Sequence, residues 1–236
     1  MVLVPGAAKH HRGDLDGRSA TMPRMADDAR WGRDFDPDRL ARLELAMWKA
    51  YYRRQAGQLF RLLIRANIEQ ARVSFPRAVV AAFWLTWAAA RFAGSTGDYD
   101  RFAPPLARGY RWLGLPSHVD AEEVARRELR WWVVRREIGL AAGAAAGDAI
   151  TDLYSALYEV PASTVAEAGR LRGQAAEVRD RGAALDPDGP SGEGQGYWPE
   201  VARLLRESYR ALSRAIGGDA GSGRSSIGEP LAGPDA

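Results

Sequence analysis

The chain has 236 residues, 46% of them apolar, 27% charged and none cysteine, a length and composition suited to one globular domain of fewer than about 200 residues with tails. Without cysteine there are no disulfides, no thiolate zinc or iron–sulfur sites and no cysteine nucleophile. Only Lys9 and Lys49 among the 33 basic residues are lysine, and the Arg, Ala and Gly usage reads as a GC-rich coding habit, so the net charge of +3 says little about partners.

Residues 1–34 hold His10, His11 and scattered Gly, Asp and Arg without an apolar period. They lack the apolar run of a signal peptide and read as a disordered leader, with Met1, Met22 and Met25 as candidate starts. The domain expected over 35–216 is all-α: apolar residues recur at three and four positions, and β-branched clusters bounded by turns are missing. It reads as a bundle of six or seven helices.

Asp36-Pro37 marks the first start, an N-cap aspartate with proline at the first helical position, and the helix runs at least to Gly57 with an extension to Arg72 open. Ala78–Ala90 is 13 uncharged residues between Arg77 and Arg91, short of the roughly 20 needed to span a bilayer, and reads as a core helix. No membrane span and a cytoplasmic location are therefore expected. Pro104-Pro105 opens a short segment with Tyr110 and Trp112, and Asp120 with Glu123 forms an aspartate variant of the capping box. Further helices lie near Gly147–Glu159, Ala162–Arg181 and Pro199–Ile216. The Gly- and Pro-rich stretch 183–196 reads as a flexible linker and 217–236 as a disordered tail.

Residues 36–48 (DPDRLARLELAMW) and 120–132 (DAEEVARRELRWW) share six of 13 positions, which suggests a duplicated helix start and a pseudo-twofold arrangement. A looser third copy over Val201-Ala202-Arg203 carries Leu205 in place of the glutamate and Tyr209 in place of the tryptophan. Wound at about 100° per residue, Glu44 lies within a stripe of Leu40, Met47, Trp48, Tyr51, Leu59 and Leu62, and Glu128 within one of Val124, Trp131 and Trp132. A carboxylate there must meet a cation, accept hydrogen bonds, bind a metal or stay protonated. Arg135 falls on the same face and is the expected partner. Glu44, Glu128, Arg135, Trp48, Trp132 and Tyr51 thus form either a buried network or a pocket lining.

Other chemistry is poorly supported. A di-iron bundle needs Glu-x-x-His, and three residues after Glu44, Glu69, Glu128 and Glu159 stand Met47, Arg72, Trp131 and Ala162. His118 reads as a turn residue. Asp148, Asp152, Ser155 and Glu159 read as a solvated acidic face, and no P-loop, dinucleotide fingerprint or nucleophile elbow is present. No metal or cofactor is therefore expected. Gly139, Gly143 and Gly147 form a small-residue ridge for close packing if the helix runs on from Asp120. Arg203, Arg206, Arg210 and Arg214 line one face of the last helix, a nucleic-acid candidate, although Glu200 and Glu207 flank it and no aromatic residue interleaves.

Three functional classes follow. The leading one is a non-enzymatic helical interaction or scaffold protein with a protein partner or second copy. The second is an enzyme or binding protein for an apolar or cationic small molecule in a Glu/Trp/Arg pocket. The third is nucleic-acid or anionic-surface binding through the arginine stripe.

Overall fold

A computed structural model describes residues 31–185 and 196–217. The described residues are all-α, with eight helices among them: α1 (Pro37–Tyr52), α2 (Ala56–Ala71), α3 (Phe75–Ala93), α4 (Ala103–Trp112), α5 (Ala121–Ile138), α6 (Gly143–Tyr158), α7 (Ala162–Leu185) and α8 (Trp198–Gly217). Short 3₁₀ turns, Tyr99–Phe102 and Gly139–Ala141, precede α4 and α6. Each helix packs on its neighbours in sequence, and α8 packs back on α1 to close a ring.

The eighth helix comes from a break in the first. On α1 the stripe runs through Leu40, Glu44, Met47 and Trp48, whereas α2 buries Leu59, Leu63, Ala66 and Asn67. Continued straight, the α1 stripe would reach 55, 58 and 62, about 100° out of phase with that set. The chain absorbs the mismatch at Arg54, which takes a left-handed conformation (φ 55°) within an exposed run, Arg53–Gln58.

Both aspartate caps form. Asp36 accepts from the N–H groups of Asp38 (2.9 Å) and Arg39 (3.0 Å), and Asp120 from that of Glu122 (2.9 Å). The reciprocal arm of the capping box does not, because Glu123 is held by Arg126 and Arg127 on the next turn. Nor does α5 continue through the glycine ridge: Gly139 has φ 70° and ends it.

Gly143 and Gly147 begin α6 and meet Gly169 and Gly173 of α7. A Cβ on Gly173 would stand 2.3 Å from the Gly143 carbonyl oxygen and 2.6 Å from the Gly147 nitrogen. The ridge therefore packs backbone against backbone, using two of the three expected glycines.

The packed domain starts earlier than the sequence suggests. Trp31 donates its indole N–H to the Leu113 carbonyl (2.8 Å), and Arg33 donates to the carbonyls of Tyr158 (2.7 Å) and Ile216 (3.0 Å), where α6 and α8 end. Residues 31–34 thus belong to the fold, not to the leader, and Ala183–Leu185 are the last turn of α7, not linker. The rest of the expected leader (1–30), linker (186–195) and tail (218–236) lie outside the described residues.

The core-helix reading of 78–90 holds for one face only. Ala78, Ala81, Ala82, Leu85, Ala88 and Ala89 are buried, and Leu85 meets α4 where Gly109 leaves room for it. On the other face Phe83 is 52% exposed and Trp87 37%.

Candidate functional site

The two repeat glutamates are fully enclosed. Glu44 and Glu128 are each 1% exposed, centred on apolar faces by the 3.6-residue period of α1 and α5. Glu44 is paired from α7, not from its own repeat: Arg172 donates to its Oε1 from Nη2 (2.7 Å) and Nε (3.0 Å). Tyr209 of α8 donates its O–H to the other oxygen (2.5 Å). Arg172 also donates from Nη1 to the Tyr154 hydroxyl (3.2 Å), and its guanidinium lies 5.5 Å from the centre of the Trp131 ring.

Glu128 accepts from the Tyr110 hydroxyl of α4 (3.1 Å) and from the Trp132 indole one turn on (3.1 Å). The two halves thus solve the same problem differently, one with a cation and a phenol, the other with hydrogen-bond donors from α4 and from its own helix. The third copy takes part as well. Leu205 is buried in the glutamate position, while Tyr209, in the tryptophan position, serves Glu44.

Arg135 does not join either glutamate. It lies on the face of Glu128 but two turns, about 10 Å, further along the axis, and Asp180 of α7 stands opposite it. Arg135 holds Asp180 bidentately (Nε–Oδ2 2.8 Å, Nη2–Oδ1 2.7 Å) and donates to the Tyr52 hydroxyl (2.7 Å). Tyr51 packs edge-on against Tyr52, and Trp48 lies below the Arg135 guanidinium. The six candidates therefore divide: Glu44 pairs with Arg172, Glu128 with Trp132, and Arg135 with Asp180, while Trp48 lies against the Arg135 guanidinium and Tyr51 against Tyr52. The Trp48 indole N–H has no acceptor among the described residues.

Sequence reasoning misses Arg172, the cation that pairs with Glu44. Its signal is present: Arg172 stands among Val165, Ala168, Gly169, Gly173 and Ala176, a buried small-residue stripe in which a charge is as anomalous as Glu44 is on its own helix.

Burial pushes the Glu44 carboxyl up, the Arg172 charge leads the influences that draw it down, with the hydrogen bonds from Tyr209 and Arg172 acting the same way, and the group lies below its ordinary value of 4.5. Burial, then the neighbouring Glu44 and Glu128 charges, push the Tyr209 and Tyr110 phenols well above 10. The fold thus keeps Glu44 ionised where an unfolded chain protonates it, and keeps the phenols neutral where an unfolded chain ionises them. Stability is present above about pH 4.5 and lost as pH falls through the folded value, and is present below about pH 10 and lost as pH rises beyond it. A urea midpoint that is flat between about pH 5 and pH 10 and falls on both sides is the expected result, with a shallower alkaline fall in Tyr209→Phe. A midpoint unaffected above pH 10 contradicts this account.

The arginine stripe of α8 is largely met by carboxylates: Arg203 by Glu200 and Glu207, Arg210 by Asp38 and Arg214 by Glu167. The acidic face of α6 is likewise engaged, Asp152 with Arg130 and Glu159 with His118. Among the described residues no three or more His, Cys, Asp or Glu side chains are grouped as metal ligands would be.

A second unforeseen feature lies on α3. Phe83 and Trp84 meet edge to face (5.5 Å, 75°), as do Trp84 and Trp87 (6.2 Å, 75°). Arg108 of α4 covers the Trp84 ring and Arg91 the Trp87 ring, both at 4.8 Å. Trp87, Arg91, Arg101 and Phe102 line a shallow concavity of about 310 Å³ between α3 and the turn before α4. The sequence carries the signal in the spacing of Phe83, Trp84 and Trp87, opposite the alanines.

No protein-family model, curated protein or solved structure matches this chain.

Proposed function

We propose that this chain is a non-enzymatic interaction protein, a helical scaffold that works through its surface. The observation that carries this reading is how completely the buried charges are used internally. Glu44, Glu128 and Arg172 are at most 2% exposed, and each carboxylate oxygen accepts from a side chain of the same domain. A group that binds ligand from solvent leaves part of its hydrogen-bonding capacity for that ligand. Here the glutamates instead tie α1, α4, α5, α7 and α8 together, a use in which buried polar groups fix register. Large aromatic side chains are meanwhile left exposed on α3, where a soluble monomer gains nothing by showing them.

Native mass spectrometry of the chain purified from its own cells tests the reading. The expected spectrum shows the polypeptide without a stoichiometric small molecule. A retained small molecule that Glu44→Gln or Glu128→Gln releases would replace this reading with the ligand pocket.

A further inference from the structure

We propose that the aromatic and arginine face formed by α3, the turn Tyr99–Phe102 and the first half of α4 docks the chain on an anionic phospholipid surface. The inference rests on the surface-acting reading and names the partner of that surface. The face is a ridge of rings, Phe83, Trp84 and Trp87, edged by three exposed arginines, Arg91, Arg101 and Arg108. Rings backed by cations are the composition of helices that lie in a bilayer interface, where the apolar part enters the acyl boundary and the guanidinium stays with the headgroups.

Charge selects the occupant. From Gln70 to Gly97 there is no acidic residue, and from Arg101 to Val119 again none. Asp98 and Asp100 are the acids between, and Asp98 reaches Arg101 at the edge of the face (4.0 Å). Arg91 and Arg108 have no carboxylate partner among the described residues; each rests on a tryptophan. Apposing a second copy through this face would set arginine against arginine. Single-stranded nucleic acid needs open ring faces on which to stack bases, and the Trp84 and Trp87 rings are each covered on one side by guanidinium and stand edge to face with one another. A fluid anionic surface requires neither a complementary shape nor open rings. In this proposal α3 lies along the bilayer: no single described helix is long and apolar enough to cross it, and the one described pair that passes together, α2 with α3, is bent by 119°.

Sedimentation of the full-length chain with vesicles tests the proposal. Binding to phosphatidylcholine vesicles containing phosphatidylserine is expected, with little to phosphatidylcholine alone and a steep loss as salt is raised. Replacing Arg91, Arg101 and Arg108 together with Gln should weaken binding by about fivefold per arginine, on the order of a hundredfold in all. Phe83→Ser with Trp87→Ser should weaken it further and abolish quenching of tryptophan emission by lipids brominated in their acyl chains. Both variants alter exposed side chains, and an unchanged thermal melt shows that the fold is kept. Equal binding to both vesicle types, or unweakened binding by the arginine variant, overturns the proposal. So does a face-dependent dimer in light scattering, or face-dependent binding to oligothymidylate without binding to vesicles. Those last two results leave the surface-acting reading standing with another partner, whereas a core-bound small molecule in the mass spectrum removes it.

Discussion

Arg172→Met should lower the unfolding free energy by about 3–5 kcal/mol, among the largest effects expected of any single change in this chain. Methionine fits the space, but Glu44 is then left ionised or forced to protonate in an apolar site, with only Tyr209 still donating to it. Glu44→Leu alone strands the guanidinium in the same way. Removing both charges together should return much of the loss, since a buried ion pair is often no better than apolar residues of similar volume. Chemical denaturation of the two single variants and the double variant gives the coupling directly. Additive losses would show that Arg172 and Glu44 do not depend on each other.

Gly173→Ala is expected to be nearly as damaging, for a different reason. The new Cβ would meet the Gly143 carbonyl and the Gly147 backbone well inside contact distance, and neither is the end of a flexible side chain. The two helices must separate along the crossing, at a cost of about 3 kcal/mol or more, the upper part of the range for overpacking. Gly57→Ala is the matched control. A Cβ there meets nothing within 4 Å, and the substitution should raise stability by about 0.4–1 kcal/mol through the unfolded chain. Thermal melts of the two variants side by side test the pair. Equal midpoints would mean that α6 and α7 are not held in close backbone contact.

The all-α class, the Asp36 and Asp120 caps and the burial of Glu44 and Glu128 are legible in the sequence because each is written within one helix. A cap needs only its own first turn, and a carboxylate stands out against the apolar residues three and four positions away. What escapes is whatever depends on a second element. Arg172 hides because α7 is weakly amphipathic and its buried stripe is made of alanine and glycine, so its face is hard to assign. Arg135 shares the right face with Glu128 but the wrong height along the axis, and only the position of Asp180 on α7 shows where it goes. The spacing within α3 sets Phe83 and Trp87 on the face opposite the alanines, but that the alanine face is the covered one is decided by α2 and α4, which pack on α3. The breaks at Arg54 and Gly139 are intermediate cases: the phase shift at the first is readable from the apolar pattern, whereas the glycine of the second fits a ridge as well as a stop.

The closed ring of helices carries a consequence for the order in which the molecule is built. Helices that pack on their sequence neighbours form early, because short loops close at little entropic cost. The joining of α8 to α1 spans the whole domain and comes late. Glu44 awaits Arg172 and Tyr209, which lie 128 and 165 residues further along. During synthesis the first helices therefore leave the ribosome with a charged group in the middle of their apolar stripe, and it resists burial until its cation has been made. The carboxylate that braces the finished protein thus opposes burial of the α1 stripe until α7 and α8 have been made.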